Sequence, residues 1–468
     1  MKLKSLFHPA LALTSILTAT AQIDPGLPLL GKLKTHSAKE IPSSNWSIGG
    51  ETLDRDFGVY ENYKKYLGPL GAKSIRLQTG WAKCEKSPGV YDFSWLDAIV
   101  DDALSQGVQP WLELNYGNPI YPGGGGTNLG GDLPSSPEAL AAWDKWVRAI
   151  VKRYQNRVTE WEIWNEPDGN KAMPEAYADL FIRTAEIVRS EQPKAKIYAL
   201  ALAGEIPYAE AFMKHVSAAG KLALIDAITI HGYPINPDDT ENIIQLRAIT
   251  NRIGAPIEIR QGESGATSRF QKHFALNNLQ MTETIQTKWN LRRMLAHHGI
   301  DVPFNLFTII DLHYVLKTKG LVIMNYKGLL ASKPDQTVDY VKPAYLAAQN
   351  VFSTFDDSLV RMKDFSAQSN ATKPLAAFAY SHQKSGGQIV TLWCKDDMPG
   401  NSNDKTLVDF TFQGATINDP VYVDLYNGKV YALPKSADGK TFPKIPLYDS
   451  PILIAEKSAL QIDFKTKP

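Results

Sequence analysis

Eight short, β-favouring apolar runs recur at 46–50, 73–78, 108–115, 158–166, 195–202, 224–234, 255–265 and 304–310, each emptying into polar or glycine-bearing sequence. Helical stripes fall between several of them. Tyr60, Tyr63, Tyr66 and Leu67 mark 57–70, and Leu96, Ile99, Val100 and Ala103 mark 95–105. Ser135-Ser-Pro-Glu138 is a helix start whose stripe runs through Leu140, Trp143, Trp146, Val147, Ile150 and Tyr154, which assigns both tryptophans to packing. Further helices are expected at 174–188, 283–298 and 342–351. Repeated strand–helix units need parallel strands with crossover connections, and eight such strands close into an α/β (β/α)8 TIM barrel over 45–350. Its ligands bind at the carboxyl ends of the strands.

Beyond Phe355 the pattern changes to short strands with polar turns, at 375–380, 388–394, 407–412, 421–425 and 452–454. Asn427-Gly428 between 421–425 and 430–433 predicts a two-residue hairpin. Residues 351–468 therefore form a C-terminal antiparallel β-sandwich domain. At the other end, Lys2, Lys4, an apolar run at 6–17 and Ala19-Thr-Ala21 read as a signal peptide over 1–21. The expected location is secreted or periplasmic, with no membrane span and, since Gln22 is not Cys, no lipoprotein anchor. Residues 22–44 form an N-terminal arm that either pairs with the second domain or acts as a linker.

A formal net charge of +1 gives no field suited to nucleic acid. The histidines lack an HExxH pattern, and the glycines at 123–126 lack a phosphate-binding context, so neither a metal nor a cofactor is expected. Cys84 and Cys394 fall in different domains of a chain too large to need a bridge, and two buried thiols are expected.

The fourth run ends in Trp164-Asn-Glu-Pro167. Pro167 cannot donate to a ladder and disfavours helix before it, which places Asn165 and Glu166 at the strand's carboxyl end. In the seventh run two acids compete: Glu258 lies inside the strand, while Glu263 falls at its end. Position favours Glu263, with a bulge at Gly262 absorbing the extra length. Arg76, at the end of the second run, needs an acidic partner if buried and is a candidate to hold one of these carboxylates.

Trp-Asn-Glu-Pro at the end of a fourth barrel strand resembles the (β/α)8-barrel retaining glycosidases of glycoside hydrolase clan A, similar to the family 39 type with its appended sandwich. The resemblance covers roughly 45–350. It implies Glu166 as acid/base, Glu263 as nucleophile, Asn165 on the hydroxyl beside the anomeric carbon, and Arg76 in support. The sixth-strand pair His231 and Tyr233 resembles the clan's pair that bonds the nucleophile. Two departures stand out. Asn115-Tyr116 replaces the His that several clan families carry after strand three, and no Trp platform follows strand eight, where Asp311, His313 and Tyr314 stand. Tyr314, Trp81 or a loop residue is expected to supply the apolar floor. The resemblance implies an oligo- or polysaccharide substrate with a β-glycosidic or equivalent α-L bond. A non-catalytic carbohydrate-binding protein on the same scaffold is the alternative, and an inverting hydrolase with a wider carboxyl gap is a third.

Overall fold

The computed structural model describes residues 23–465 apart from 170–171, 317–319 and 396, so the leader expected at 1–21 lies outside the described residues. Eight strands close into a barrel in chain order: β1 Trp46–Gly49, β2 Ser74–Gln78, β3 Gln109–Leu114, β4 Glu160–Ile163, β5 Lys196–Leu202, β6 Ala227–His231, β7 Glu258–Ser264 and β8 Phe304–Leu306. All neighbours are parallel, and β8 pairs with β1 to complete the ring. Burial on both faces is why these strands read as apolar runs rather than alternating ones.

Local sequence explains the helices. In Pro137–Tyr154 the Ser136 hydroxyl accepts the Ala139 N–H at 3.1 Å, and the buried stripe includes Trp143, Trp146, Val147, Ile150 and Tyr154. Ser94–Ser105 buries Leu96, Ile99, Val100 and Ala103. The single helix expected at 57–70 is instead three short turns, Tyr60–Tyr63, Lys64–Tyr66 and Leu67–Leu70, closed by Gly71 at φ 90°. Gly68 and Pro69 weaken its last turn, since Pro69 has no N–H to donate. Glu283–His298 is polar by composition yet buried nearly all round. It lies between barrel and sandwich, where Lys288 donates to Asp449 at 2.7 Å.

Two strand ends depart from regular geometry. In β7 the register slips between Gln261 and Glu263, at Gly262 as the strand's length requires. In β5 it slips between Ala199 and Leu202, with Leu200 and Ala201 at φ 80° and 39°. β8 is shorter than the run at 304–310. After Leu306 the chain leaves the ladder, the Ile309 N–H donates to Gly49 O, and two hairpins follow, Leu312–Leu316 with Leu321–Asn325 and Leu330–Ser332 with Val338–Val341.

The C-terminal region holds two antiparallel sheets, one of eight strands and one of three. The arm is no loose linker. Its strand Leu29–Leu33 lies in the larger sheet between Lys429–Ala432 and Ile462–Phe464. The expected hairpin is present, but Asp424 pairs with Lys429 and the loop holds four residues, Leu425 to Gly428. Leu425 leaves the ladder because its side chain is buried in the core shared with the barrel, where its carbonyl accepts from Asn350 Nδ2. Trp46 Nε1 donates to Phe355 O at 2.6 Å, and the His298 ring stacks on Tyr380 with centroids 4.9 Å apart, so barrel and sandwich are packed together.

A Cβ on Gly262 would lie 2.9 Å from Thr229 Cβ and 3.4 Å from His231 Cδ2. Gly262→Ala is expected to cost about 1–3 kcal/mol through overpacking between β6 and β7. The shift in the urea unfolding midpoint measures it, and an unchanged midpoint would show that the bulge has room to spare.

Candidate active site

The Arg76 side chain, on β2, points into the barrel and is fully buried. Its guanidinium meets carboxylates from four places. Nε donates to Glu162 Oε2 on β4 at 2.6 Å, Nη1 to Glu51 Oε1 after β1 at 3.1 Å, and Nη2 to Glu113 on β3. Nη1 also reaches Glu263 Oε2 on β7 at 3.4 Å, and Nη2 reaches Asn165 Oδ1 at 3.0 Å. The face of Trp111 lies beneath the cation at 5.6 Å. Burial opposes the charge, but the surrounding carboxylates outweigh it and hold the Arg76 pKa well above its ordinary value. The acids share one cation, and burial pushes the Glu113 carboxyl well up and Glu51 up to about 7, with the charge of Glu263 adding to the second effect.

Above this layer stand Glu166 and Glu263. Glu166 follows β4 with φ 47°, and Trp164 two residues earlier has φ 68°. Left-handed backbone at non-glycine residues is costly and is found where surrounding structure enforces it. Here the Glu166 N–H donates to Ala201 O in the β5 bulge at 3.0 Å, and the Asp168 carboxylate accepts the N–H groups of Ala203, Gly204 and Glu205. The exits of β4 and β5 are thereby tied together.

His231, at the end of β6, bridges the two acids. Its Nδ1 is 2.7 Å from Glu166 Oε1 and 3.6 Å from Glu263 Oε2. Burial opposes protonation, but the charge of Glu263 and the hydrogen bond to Glu166 raise its pKa above the ordinary value. The Tyr233 hydroxyl donates to Glu263 Oε1, and burial together with that carboxylate keeps it a phenol. One oxygen of Glu166, one of Glu263 and His231 Nδ1 all lie within 4.8 Å of one another. Among the described residues these three donors form the one group with metal-ligand spacing, and each takes part in the hydrogen bonds just described.

The other expected site residues divide into two groups. Asn165 sits between Arg76 and the Tyr116 hydroxyl, which accepts its Nδ2–H at 3.0 Å, and Asn115 Nδ2 donates to Glu113 beneath. Tyr314 packs against Phe57 and Phe274, with centroids 4.7 and 4.5 Å away, on the rim. Trp81 is elsewhere. It is fully buried among Tyr121, Trp143 and Trp146, with its indole donating to Glu85, because the turn Trp81–Cys84 folds it back under the helix Pro137–Tyr154. Asp311 also faces away, since it accepts from Lys342 Nζ at 2.7 Å and from the Gly328 N–H. Glu258 begins β7 at the opposite end of the barrel from Glu263 and pairs with Arg260. Cys84 and Cys394 are buried free thiols.

Sequence reasoning missed Glu51, Glu113 and Glu162. The available signal was an acid flanked by apolar residues within β3 and β4, where a surface role is hard to accommodate. It also missed Lys327, which is buried with its Nζ 5.1 Å from the centre of the Tyr233 ring.

The sequence profile described as Glycosyl hydrolases family 39 matches residues 81–263, a stretch that includes Glu166 and ends on Glu263. A beta-xylosidase of Caldicellulosiruptor saccharolyticus is 25% identical over 310 residues, which is 60% of this chain and 59% of that protein. The chain thus spans less than two thirds of that relative's length. A family 39 glycoside hydrolase from Bacteroides cellulosilyticus WH2 has the same fold at TM-score 0.68 and 19% identity, covering 91% of this chain and 83% of that one. A monomeric beta-xylosidase from Caulobacter crescentus CB15 follows at TM-score 0.59 and 16% identity, with coverage of 92% and 97%. The resemblance to clan A, and the barrel with an appended antiparallel region, are borne out by the profile match and the shared fold.

Removing the shared cation leaves buried carboxylates uncompensated, so Arg76→Met is expected to cost about 3–5 kcal/mol in urea unfolding. A loss under 1 kcal/mol would mean that the acids simply take up protons. The Glu51 carboxyl gives a pH signature. It holds its proton up to about 7 when folded, against an ordinary 4.5. Between those values the folded state binds the extra proton, so this group makes stability fall as pH rises, by about 2–3 kcal/mol. The Glu51→Gln protein should lack that fall when its unfolding free energy is measured at pH 4.5 and pH 7.

Proposed function

From the family 39 profile match and the paired acids at the barrel mouth, we propose that this chain is a secreted retaining glycoside hydrolase. The observation that carries the proposal is the spacing of Glu166 and Glu263, whose nearest oxygens fall within 4.8 Å on strands facing each other across the mouth. Retaining enzymes place their carboxyl groups about 5–5.5 Å apart, whereas inverting ones leave about 6.5–9.5 Å for a water molecule. The short gap favours double displacement.

In the first step Glu166 donates its proton to the glycosidic oxygen while Glu263 attacks the anomeric carbon. The leaving alcohol departs and a glycosyl ester forms on Glu263. In the second step Glu166, now a carboxylate, takes a proton from water, whose oxygen attacks the same carbon and frees Glu263. Arg76 and Tyr233 fix the attacking oxygens of Glu263, and His231 Nδ1 orients Glu166. Asn165, whose Oδ1 accepts from Arg76 and whose Nδ2 donates to the Tyr116 hydroxyl, is the residue assigned to the hydroxyl beside the anomeric carbon. The names of the matched relatives, beta-xylosidase and beta-galactosidase, support a β-D-glycoside as substrate. Export rests on the signal-like sequence of residues 1–21.

The test is turnover of 4-nitrophenyl β-D-xyloside, galactoside and glucoside and of plant and algal polysaccharides. Glu166→Ala and Glu263→Ala are each expected to lower kcat by about a thousandfold. With azide, Glu166→Ala should yield the β-glycosyl azide and Glu263→Ala the α-anomer, distinguished by NMR. An inverted wild-type product would overturn double displacement. Sugar binding without turnover, equal in wild type and both variants, would restore the carbohydrate-binding alternative.

A further inference from the structure

Among the described residues, the other buried lysines each pair with a carboxylate. Lys288 Nζ lies 2.7 Å from Asp449 Oδ1, and Lys342 Nζ lies 2.7 Å from Asp311 Oδ1. Lys342 adds the Ser268 hydroxyl at 2.9 Å. Lys327 is as buried, with 1% of its surface exposed, yet among the described residues its ammonium meets a single acceptor, Ala275 O at 2.8 Å. No carboxylate pairs with it there. Its Nζ lies 5.1 Å from the centre of the Tyr233 ring, and the hydroxyl of that ring is the group that holds Glu263. Burial pushes its pKa down to about 7, and the negative charge of Glu263 is what works against that fall.

A buried ammonium held by one carbonyl and the face of one ring, with no carboxylate paired to it among the described residues, is costly, and the missing counterion calls for explanation. A purely structural tie from the barrel to the Ala275 carbonyl would be served by the amide N–H of a Gln, without a buried charge. The charge of Glu263 is a poor permanent counterion as well, because it is consumed when the glycosyl ester forms. A ligand bringing its own negative charge would balance Lys327 before and after that step. We infer that Lys327 determines specificity, its ammonium receiving a negatively charged substituent, carboxylate or sulfate ester, on the sugar held between Glu166 and Glu263. This inference rests on the hydrolase reading above. Lysine suits it, since a long stem lets the ammonium leave Ala275 O for a ligand oxygen without moving the backbone.

The test compares wild type, Lys327→Met and Lys327→Arg on 4-nitrophenyl β-D-glucuronide and β-D-galactoside 6-sulfate against the neutral β-D-glucoside and β-D-galactoside. Lys327→Met is expected to lower the ratio of kcat/KM for the anionic over the neutral sugar by about ten- to a hundredfold. Lys327→Arg should recover part of it. The glucuronide and sulfate arms distinguish the two anions. Equal losses on charged and neutral sugars would overturn the inference and leave Lys327 as electrostatic support for Glu263, as would a wild type that prefers neither anion. Calorimetry with D-glucuronate, galactose 6-sulfate and glucose on Glu166→Gln, with and without Lys327→Met, decides the matter independently of turnover. Anion-selective binding lost in the double variant would uphold the inference even if no glycoside is hydrolysed, and such a failure of turnover would count against the hydrolase reading alone.

Discussion

One buried guanidinium organises the centre of this molecule. Arg76 ties together side chains from the exit of β1 and from β3, β4 and β7, strands that are not all neighbours in the sheet, and so fixes the barrel's interior across its width. The arrangement is stable only as a set. The buried acids have the guanidinium as their shared counterion, and the cation is too buried to stand without them. Glu263 belongs to this set at its upper edge, so the group proposed to attack the sugar is also the last member of a structural network. Its orientation is inherited from the barrel rather than from a loop.

A second constraint acts on Glu166. The left-handed backbone at Trp164 and Glu166 matches the bulge at Leu200 and Ala201, and the hydrogen bond from Glu166 N to Ala201 O joins the two. Departures from regular strand geometry therefore sit where β4, β5 and β7 end, at the face that carries the acids. The lower part of the same strands is regular. Strain concentrated at a site in this way is compensated by the packed scaffold around it.

Most of the barrel was legible because a parallel strand buried on both faces writes a continuous apolar run, and its exit writes an abrupt polar one. Gly262 could be read as a bulge because Glu263 had to clear the strand. The sandwich hairpin was legible in place but not in length, since Asn427-Gly428 signals a tight turn and nothing local reveals that Leu425 is drawn into a distant core. The helix at 57–70 was overdrawn because aromatic spacing outweighed Gly68 and Pro69. In the site, residues at strand ends were found by position. Trp81 and Asp311 were misplaced for a common reason: each follows a strand, but its direction is set by partners far along the chain, Trp146 and Lys342, that spacing cannot disclose. The buried acids on β3 and β4 were hidden because a carboxylate inside a barrel is intelligible only once its cation is known.

The placement of Leu29–Leu33 bears on how the molecule assembles. This strand is synthesised before the barrel, yet its two neighbours in the sheet, Lys429–Ala432 and Ile462–Phe464, are synthesised after it. The βα units are built from contacts close in sequence, while this strand is paired only across nearly the full length of the chain. Closing such a long loop is slow for reasons of chain entropy, although its cost grows only with the logarithm of length. The larger sheet thus closes a loop of chain that contains the whole barrel, with an early segment clasped between two late ones.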